Sequence, residues 1–208
     1  MGRPAGTLSG LTAGTASRQT ERSAATRARL VAAARELFAE RPYADVGTEE
    51  IVRRAQVTRG ALYHHFADKR DLFRAVHEQL EAELVDSIAK QLAETVSDDP
   101  VEGLRTGART YLDACEDRSF ARITLIDAPA VLGWAEWRRI DEEYALKVIL
   151  LGLEAAMEVG VFRRRPVLPL AYLMLGTMGE AGLRIANGEG EREEVEDALM
   201  ALLDGLRA

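Results

Sequence analysis

The stretch between residues 57 and 73, VTRGALYHHFADKRDLF, concentrates side chains that bind anions or metals. Arginine, tyrosine and histidine can donate hydrogen bonds to phosphate oxygens and base edges, and histidine can also bind a metal ion. Adjacent residues of a helix point about 100° apart, so His64 and His65 cannot easily share one ion. His77 lies about three turns further on, and no cysteine or acidic set completes a ligand shell. We therefore expect contact with a polyanion, and no metal site.

Two short predicted helices must position this chemistry. They cover about Thr48 to Ala55 and about Thr58 to Phe66, and the short turn between them gives the outline of a helix-turn-helix. In that motif the first helix braces against the DNA backbone, and the second places its N-terminal residues in the major groove. The sequence therefore predicts a helix-turn-helix over about residues 47–66.

The second of these helices carries groups suited to DNA. Arg59 can bond bidentately to a guanine edge or to a phosphate, and Gly60 permits a close approach of the backbone. Tyr63 and His64 lie on the side opposite the apolar residues, where they can reach phosphate or a thymine methyl group. Tyr63 also fits a role in the small core, and His65 fits an internal contact as well as a surface one.

Helical periodicity covers almost the whole remaining chain, and no stretch alternates convincingly at period two. A long helix from Asp68 to about Thr95 repeats an apolar residue every four positions. We expect an all-α fold of about nine helices, in which the long helix joins three short N-terminal ones to a helical bundle. The other predicted helices run from about Thr26 to Glu40, Pro100 to Cys115, Phe120 to Asp127, Leu132 to Val159, Leu168 to Ala186 and Val195 to Leu206.

This pattern divides the chain into three parts. Residues 1–23 are rich in small and polar residues and predict a disordered tail, residues 24–84 form the DNA-binding part, and residues 85–208 form a second helical domain. The net charge of −7 argues at first against a nucleic-acid partner. However, the acidic excess falls within residues 85–208, so an acidic body with a locally basic head can still bind DNA. The arginines of the tail could add non-specific attraction to DNA.

The segment from about Arg27 to Leu80 resembles the N-terminal domain of TetR-family transcriptional regulators, through ARLVAAARELFAE and TEEIVRRAQVTRGALYHHFADKRDLF. The resemblance implies a homodimeric, all-helical repressor or activator whose three N-terminal helices bind operator DNA and whose C-terminal domain binds a small effector. Pro42 and Gln56 each stand where glycine is usual, and a left-handed Gln56 would cost on the order of 1 kcal/mol. The positions that correspond to DNA contacts in the family are Thr48, Thr58, Arg59, Gly60, Tyr63, His64 and Lys69.

The C-terminal helices offer aromatic and sulfur-containing side chains that suit either a core or a ligand pocket. The segment LIDAPAVLGWAEWRRID is similar to one found in a large group of such regulators, and it specifies no ligand. Cys115 fits a small apolar core residue, and no paired base or oxyanion motif supports a nucleophile. We expect an apolar or aromatic effector. The candidate ligand-binding residues are Tyr111, Cys115, Trp134, Trp137, Met174 and Met178.

Dimerisation has its own argument. One short recognition helix reaches only a few base pairs, so useful specificity requires two half-sites held by a two-fold axis. Gly176, Gly179 and Gly182 stand three apart and allow another helix to approach closely, either in a dimer or within the chain. We expect a homodimer that forms through the last two helices.

Together these features predict a DNA-binding transcriptional regulator, a repressor that a small-molecule effector releases from a palindromic operator. The alternative is a DNA-binding regulator controlled by a protein partner or by none. An enzyme is disfavoured because no triad, metal set or cofactor loop is evident, and we expect no cofactor. No run approaches the roughly 18 apolar residues that span a bilayer, and the N-terminus lacks the apolar segment of a secretion signal. A single cysteine fits a reducing compartment, so we expect a cytoplasmic protein without a membrane partner.

Overall fold

The computed structural model describes residues 10–94, 97 and 99–208, with side chains from residue 19 onward. This part of the chain is helical, as predicted, and one isolated antiparallel bridge joins Phe162 and Arg207. A short 3₁₀ turn covers Tyr43–Asp45, and a π-helical segment covers Ala121–Asp127. The α-helices are α1 (Gly10–Glu40), α2 (Thr48–Arg54), α3 (Arg59–His65), α4 (Lys69–Glu94), α5 (Pro100–Glu116), α6 (Arg118–Phe120), α7 (Ala128–Leu132), α8 (Trp134–Glu143), α9 (Ala145–Glu158), α10 (Val167–Asn187) and α11 (Arg192–Asp204).

The head consists of α1, α2 and α3 packed against the first turns of α4. The apolar residues on the inner side of α1 and of α4 are buried, from Leu30 and Phe38 to Leu84 and Ile88. The ring of Phe73 on α4 lies 5.1 Å from that of Phe38, in an edge-to-face arrangement that favours aromatic pairs. A buried aromatic core therefore joins α4 to the head.

The start of α4 is set by two aspartate side chains. The carboxylate of Asp68 accepts a hydrogen bond from the backbone N–H of Asp71 at 2.8 Å. The carboxylate of Asp71 accepts one from the N–H of Ala67 at 2.9 Å. Asp68 therefore acts as the N-cap of α4, while Asp71 bonds the residue before the cap rather than the cap residue itself, as it would in a capping box. Together the two aspartates fix where the connector leaves α3.

The body is a bundle in which α5, α9, α10 and α11 enclose a second apolar core. Leu112, Leu153, Ala171 and Leu199 from these four helices are at most 2 % exposed. The connector α4 lies along α5 and also touches α7 and α9. Within the described residues, no helix has both the length and the apolar character needed to cross a membrane.

Two predicted helices differ from the observed ones. Helix α1 begins at Gly10 rather than near Thr26, so helix extends into the part predicted as a disordered tail, and residues 1–9 lie outside the described residues. The helix predicted from Leu132 to Val159 is broken twice. Gly133, with a φ of 74°, ends α7 and begins α8. Tyr144 interrupts the dihedral pattern between α8 and α9, with φ −106° and ψ −77°.

Two smaller differences concern neighbouring segments. The helix predicted to end near Asp127 is followed directly by α7, and Pro129 lies in the first turn of α7, where its missing N–H does no harm. Thr95, the predicted end of the connector, lies outside the described residues, and α4 is described to Glu94.

Candidate nucleic-acid interface and effector cavity

The turn between α2 and α3 depends on a left-handed residue. Gln56 has a φ of 54°, the one positive value among the non-glycine residues that the structure describes. The guanidinium of Arg29 on α1 donates to the carbonyl oxygens of Ala55 and Gln56, the latter at 2.8 Å. These hydrogen bonds offset the steric cost of a left-handed glutamine and tie the turn to α1.

Helix α3 is seated by its apolar side and capped at its start. Leu62 and Phe66 are buried in the head core. The hydroxyl of Thr58 accepts a hydrogen bond from the N–H of Ala61 at 3.2 Å, as an N-cap does. Thr58 therefore has a structural role in addition to its predicted contact with DNA.

The opposite side of α3 is open to solvent and brings four predicted residues together. Arg59, Gly60, Tyr63 and His64 are all exposed. The guanidinium of Arg59 lies 5.6 Å from the centre of the Tyr63 ring, and Gly60 faces open space beyond Thr58. This surface presents a cation, a phenol and an imidazole with no side chain at Gly60 to hold a DNA backbone away.

One acidic side chain flanks this surface. The carboxylate of Glu49 lies 3.6 Å from the guanidinium of Arg59, in an ion pair whose partners are both mostly exposed. Such exposed pairs contribute little stability, so a phosphate can replace Glu49 at low cost. Thr48, the first residue of α2, is half-buried beside Glu49.

The predicted DNA contact Lys69 makes internal contacts. Its ammonium group donates to the carbonyl oxygens of Tyr43 and Val46, both at 2.9 Å, and lies 4.0 Å from the centre of the Tyr43 ring. Burial lowers the pKa of Lys69. An ammonium has three donors, so one remains for an outside acceptor while the other two hold the turn before α2 against α4.

Polar contacts join the head to the start of α8. The guanidinium of Arg70 donates to the carbonyl oxygens of Val131 and Leu132 at 3.0 and 2.6 Å. The carboxylate of Glu136 on α8 then bridges Arg70 at 2.5 Å and Arg74 at 3.3 Å. Helix α8 is therefore bonded to the first turns of α4, just after α3.

The body contains a cavity of about 770 Å³ between α4, α5, α8, α9 and α10. Most of its lining is apolar, including Leu84, Ile88 and Leu175. Five of the six predicted ligand-binding residues line it, namely Tyr111, Trp134, Trp137, Met174 and Met178. Its volume falls in the range of small-molecule sites.

Cys115 does not line the cavity. It is buried beside Tyr111. A β-carbon built on Gly182 would lie 2.5 Å from the Tyr111 hydroxyl and 2.8 Å from the Cys115 sulfur, so α10 passes close to this pair. Burial raises the pKa of the Cys115 thiol to about 12, and an un-ionised thiol is a poor nucleophile.

The cavity wall also carries acidic groups that sequence reasoning missed. Glu81 of α4 and Asp141 of α8 line it, and His77 is fully buried one turn before Glu81. Burial, with the nearby Asp141, raises the pKa of Glu81 to about 8. Burial raises that of Asp141 to about 7, against the opposing effect of Arg138, and lowers that of His77 to about 4.

Several buried polar atoms around the cavity have no hydrogen-bond partner in the structure. They include both ring nitrogens of His77, the hydroxyl of Thr124 and the indole N–H of Trp137. Buried polar groups are normally paired, and an unpaired one costs about 1–3 kcal/mol. The cavity thus offers unused hydrogen-bonding groups to whatever occupies it.

Two families match the chain, in the same order as the two parts of the fold. Residues 30–76 match the family described as "Bacterial regulatory proteins, tetR family". Residues 101–206 match the family described as "Tetracyclin repressor-like, C-terminal domain". The second match covers about half of the chain and contains most of the cavity lining.

Individual relatives agree with this assignment. The chain is 34% identical over 115 residues to the transposon Tn10 TetC protein of Escherichia coli, a match that spans 55% of this chain and 57% of TetC. A match to the transcriptional activator FasR of Mycolicibacterium smegmatis is 34% identical and spans 42% of FasR. The chain therefore spans only about half the length of the curated relatives it matches.

Solved structures extend the likeness over nearly the whole fold. A TetR-family transcriptional regulator from Pectobacterium atrosepticum is 35% identical, with a TM-score of 0.77, covering 90% of this chain and 97% of that one. The regulator RolR, solved with the ligand resorcinol, is 21% identical with a TM-score of 0.71, covering 91% and 90%, and shows a shared fold. On the family matches and the Pectobacterium relative, the chain belongs to the TetR family of bacterial regulatory proteins.

Proposed function

We propose that the protein is a DNA-binding transcriptional repressor that a small apolar or aromatic effector releases from a palindromic operator. TetR-family regulators bind operator DNA and act as dimers. The observation that carries the proposal is the link through Glu136, which joins the cavity-lining helix α8 to the first turns of α4 behind the recognition helix. A protein of this kind acts in the cytoplasm as a regulator rather than as an enzyme.

The proposed DNA contacts are those on and around α3. Arg59 supplies a cation for a guanine edge or a phosphate, while Tyr63 and His64 supply donors for the backbone, and Gly60 admits a close approach. Three further proposed contacts lie at helix starts: Thr48 at α2, Thr58 at α3 and Lys69 at α4. At such positions a phosphate can also accept hydrogen bonds from backbone N–H groups.

The proposed dimer surface lies on α10 and α11. Leu173 of α10 is 69% exposed and Leu202 of α11 is 54% exposed, an unfavourable arrangement for large apolar side chains in a monomer. A β-carbon on Gly176, which also lines the cavity, would meet nothing within 4 Å, so the backbone of α10 is bare at this point. A second copy packed there would cover the leucines and could approach the bare helix closely.

The proposed effector acts by favouring a conformation in which α4 pivots together with the head and changes the separation of the two recognition helices of a dimer. Occupation of the cavity changes the packing of α8, and the bridge through Glu136 carries that change to Arg70 and Arg74. The coupling can be no larger than the difference in effector affinity between the two states. A thousandfold loss of operator affinity would need about 4 kcal/mol.

Selection of bound DNA from a random pool tests the proposal. We expect an enriched palindrome, whose two half-sites fit a two-fold dimer. Folded protein that enriches no sequence would overturn the proposal. On the selected site, Arg59→Ala should weaken binding by about 1–3 kcal/mol, and Tyr63→Phe should weaken it by less. The matched control is Arg164→Ala, because Arg164 is an exposed arginine in the loop between α9 and α10.

The effector is tested separately, by displacement of a fluorescent operator with a panel of small aromatic compounds. Release by at least one compound supports effector control. If none releases the DNA while the cavity stays accessible to an apolar dye, the alternative of a protein partner, or of no control, replaces it.

A further inference from the structure

We propose that His77, Glu81 and Asp141 form a binding site for a divalent first-row transition-metal ion at the wall of the cavity. The ion would present an open coordination position to an oxygen-donor ligand, such as a phenolate, carboxylate or hydroxamate. The metal site stands independently of DNA binding, whereas the role of that ligand as the effector rests on the proposed function.

The first argument is geometric. One ligand atom from each of the three residues lies within 4.8 Å of the other two. His77 and Glu81 are one turn apart on the same face of α4, with imidazole Nδ1 4.0 Å from a carboxylate oxygen. Asp141 reaches the same point from α8. Around a tetrahedral ion, N and O ligands stand about 3.4 Å apart, so small side-chain rotations close the set.

The second argument is the unpaired imidazole. His77 is 0% exposed, and neither ring nitrogen has a hydrogen-bond partner. A neutral imidazole carries one lone pair that can accept a proton or a metal. A cation held between Nδ1 and the Glu81 carboxylate would give this ring a strong partner that the protein itself does not supply.

The third argument is charge. Glu81 forms no ion pair with a lysine or arginine among the described side chains, and the guanidinium of Arg138 lies 3.9 Å from Asp141. Burial of the Glu81 carboxylate without a basic partner is strongly unfavourable. A divalent ion would bind the carboxylates of Glu81 and Asp141 together, whereas Arg138 pairs with Asp141 and not with Glu81.

The donor set selects the kind of ion. Imidazole with carboxylates suits Zn²⁺ and its first-row neighbours, whereas Mg²⁺ and Ca²⁺ prefer oxygen alone. Three protein ligands leave at least one position free, as in metal sites that bind a water or a substrate. Glu81 and Asp141 both line the cavity, so the free position faces the space in which Trp137 and Thr124 have unpaired donors.

The test uses full-length protein stripped of metal by a chelator, without DNA, and titrated calorimetrically with Zn²⁺. We expect one Zn²⁺ per protomer. Glu81→Gln and Asp141→Asn should each weaken Zn²⁺ binding by more than the 10–100-fold typical of a lost outer partner. Glu83→Gln is the matched control, because Glu83 is an exposed acid on the same helix that pairs with Arg35. No binding by the wild type, or equal binding by wild type and both variants, overturns the proposal.

Two further measurements use only the wild-type protein, so they test the site even if a variant does not fold. The X-ray absorption spectrum of the Zn²⁺-loaded wild type should show one imidazole with oxygen ligands, and sulfur or several imidazoles would overturn the site. Added acetohydroxamate should bind the Co²⁺ ion and change the visible spectrum of the Co²⁺-loaded protein. An unchanged spectrum would contradict the proposal that the ion has an open coordination position. A hydrophobic amine that binds through Glu81 while Zn²⁺ does not would replace the metal site with an ammonium site. None of these results depends on operator binding.

Discussion

The head and the cavity differ in whether their buried polar groups have hydrogen-bond partners. In the head, the guanidinium of Arg29 and the ammonium of Lys69 are each bonded to two carbonyl oxygens. Around the cavity, His77, Thr124 and Trp137 keep buried polar atoms without a partner. Of the described side chains, none that precedes His77 has such an unpaired buried atom.

The proposed function explains this difference. On that proposal DNA contacts the head from outside, so the exposed groups of α3 stay hydrated until DNA binds, while the polar groups behind them are already paired. A ligand that enters the body loses its water, and only groups already buried can replace those hydrogen bonds. Unpaired groups in the cavity lower stability, and that cost is returned when a ligand binds.

The largest contrast should appear in core packing. Phe73→Ala removes a fully buried ring from the head core and should lower the free energy of unfolding by about 3–5 kcal/mol. Trp137→Ala removes a larger side chain that borders an existing cavity, so it should cost less. Urea unfolding of both variants measures this. Equal losses would mean that the cavity wall is packed as tightly as the head.

Removing a polar side chain should change the free energy of unfolding in opposite directions in the two regions. In metal-free protein, Glu81→Leu replaces a buried carboxyl group that has no cationic partner and should raise the free energy of unfolding by about 1–3 kcal/mol. Arg29→Leu removes the two hydrogen bonds that hold the turn at Gln56 and should lower it by about 1 kcal/mol. Thermal unfolding with excess chelator measures both. If Glu81→Leu destabilises, the carboxyl group of Glu81 belongs to the structural frame.

The same contrast explains what the sequence could predict. The head is encoded locally: residues 57–73 are contiguous, and a four-residue apolar period marks the buried side of α4 from Leu72 to Ile88. The recognition surface therefore follows from helix geometry and a resemblance carried by one segment. Even the left-handed Gln56 was visible, as a departure from glycine.

The group of His77, Glu81 and Asp141 could not be found in this way. The spacing of His77 and Glu81 on one face of a helix was a usable signal, but Asp141 joins them only because α8 packs against α4. The sequence predicted one unbroken helix across that region. Gly133 was a usable sequence signal for the first break. The second break, at Tyr144, has no glycine or proline to mark it.

A smaller effect tests whether the two regions communicate through Glu136. Glu136→Gln should weaken the bridge to Arg70 and Arg74 and reduce effector-induced loss of operator affinity by about 0.5–2 kcal/mol. Operator binding without effector should change little. Glu143→Gln, an exposed acid on the same helix that pairs with Arg139, is the control. Operator titrations with and without effector give the coupling, and unchanged coupling in Glu136→Gln would exclude this route.

The smallest expected effects distinguish the two faces of α10. Gly182→Ala places a methyl group against Tyr111 and Cys115, and overpacking of this kind should lower the free energy of unfolding by about 1 kcal/mol. Gly176→Ala meets nothing within 4 Å, and the better helix propensity of alanine should raise it by about 1 kcal/mol. Urea unfolding of both variants, at a protein concentration low enough to avoid dimers, measures these two changes.

Gly176→Ala then tests the dimer surface by a second measurement. If two copies pack closely where α10 is bare, the added methyl group separates them, and sedimentation should show a weaker dimer although each chain is more stable. The exposed Leu173 beside it gives the reference, because Leu173→Ala should weaken the same dimer by removing apolar contact. A dimer unaffected by both substitutions must use another face, and the bare stretch of α10 would then serve the cavity alone.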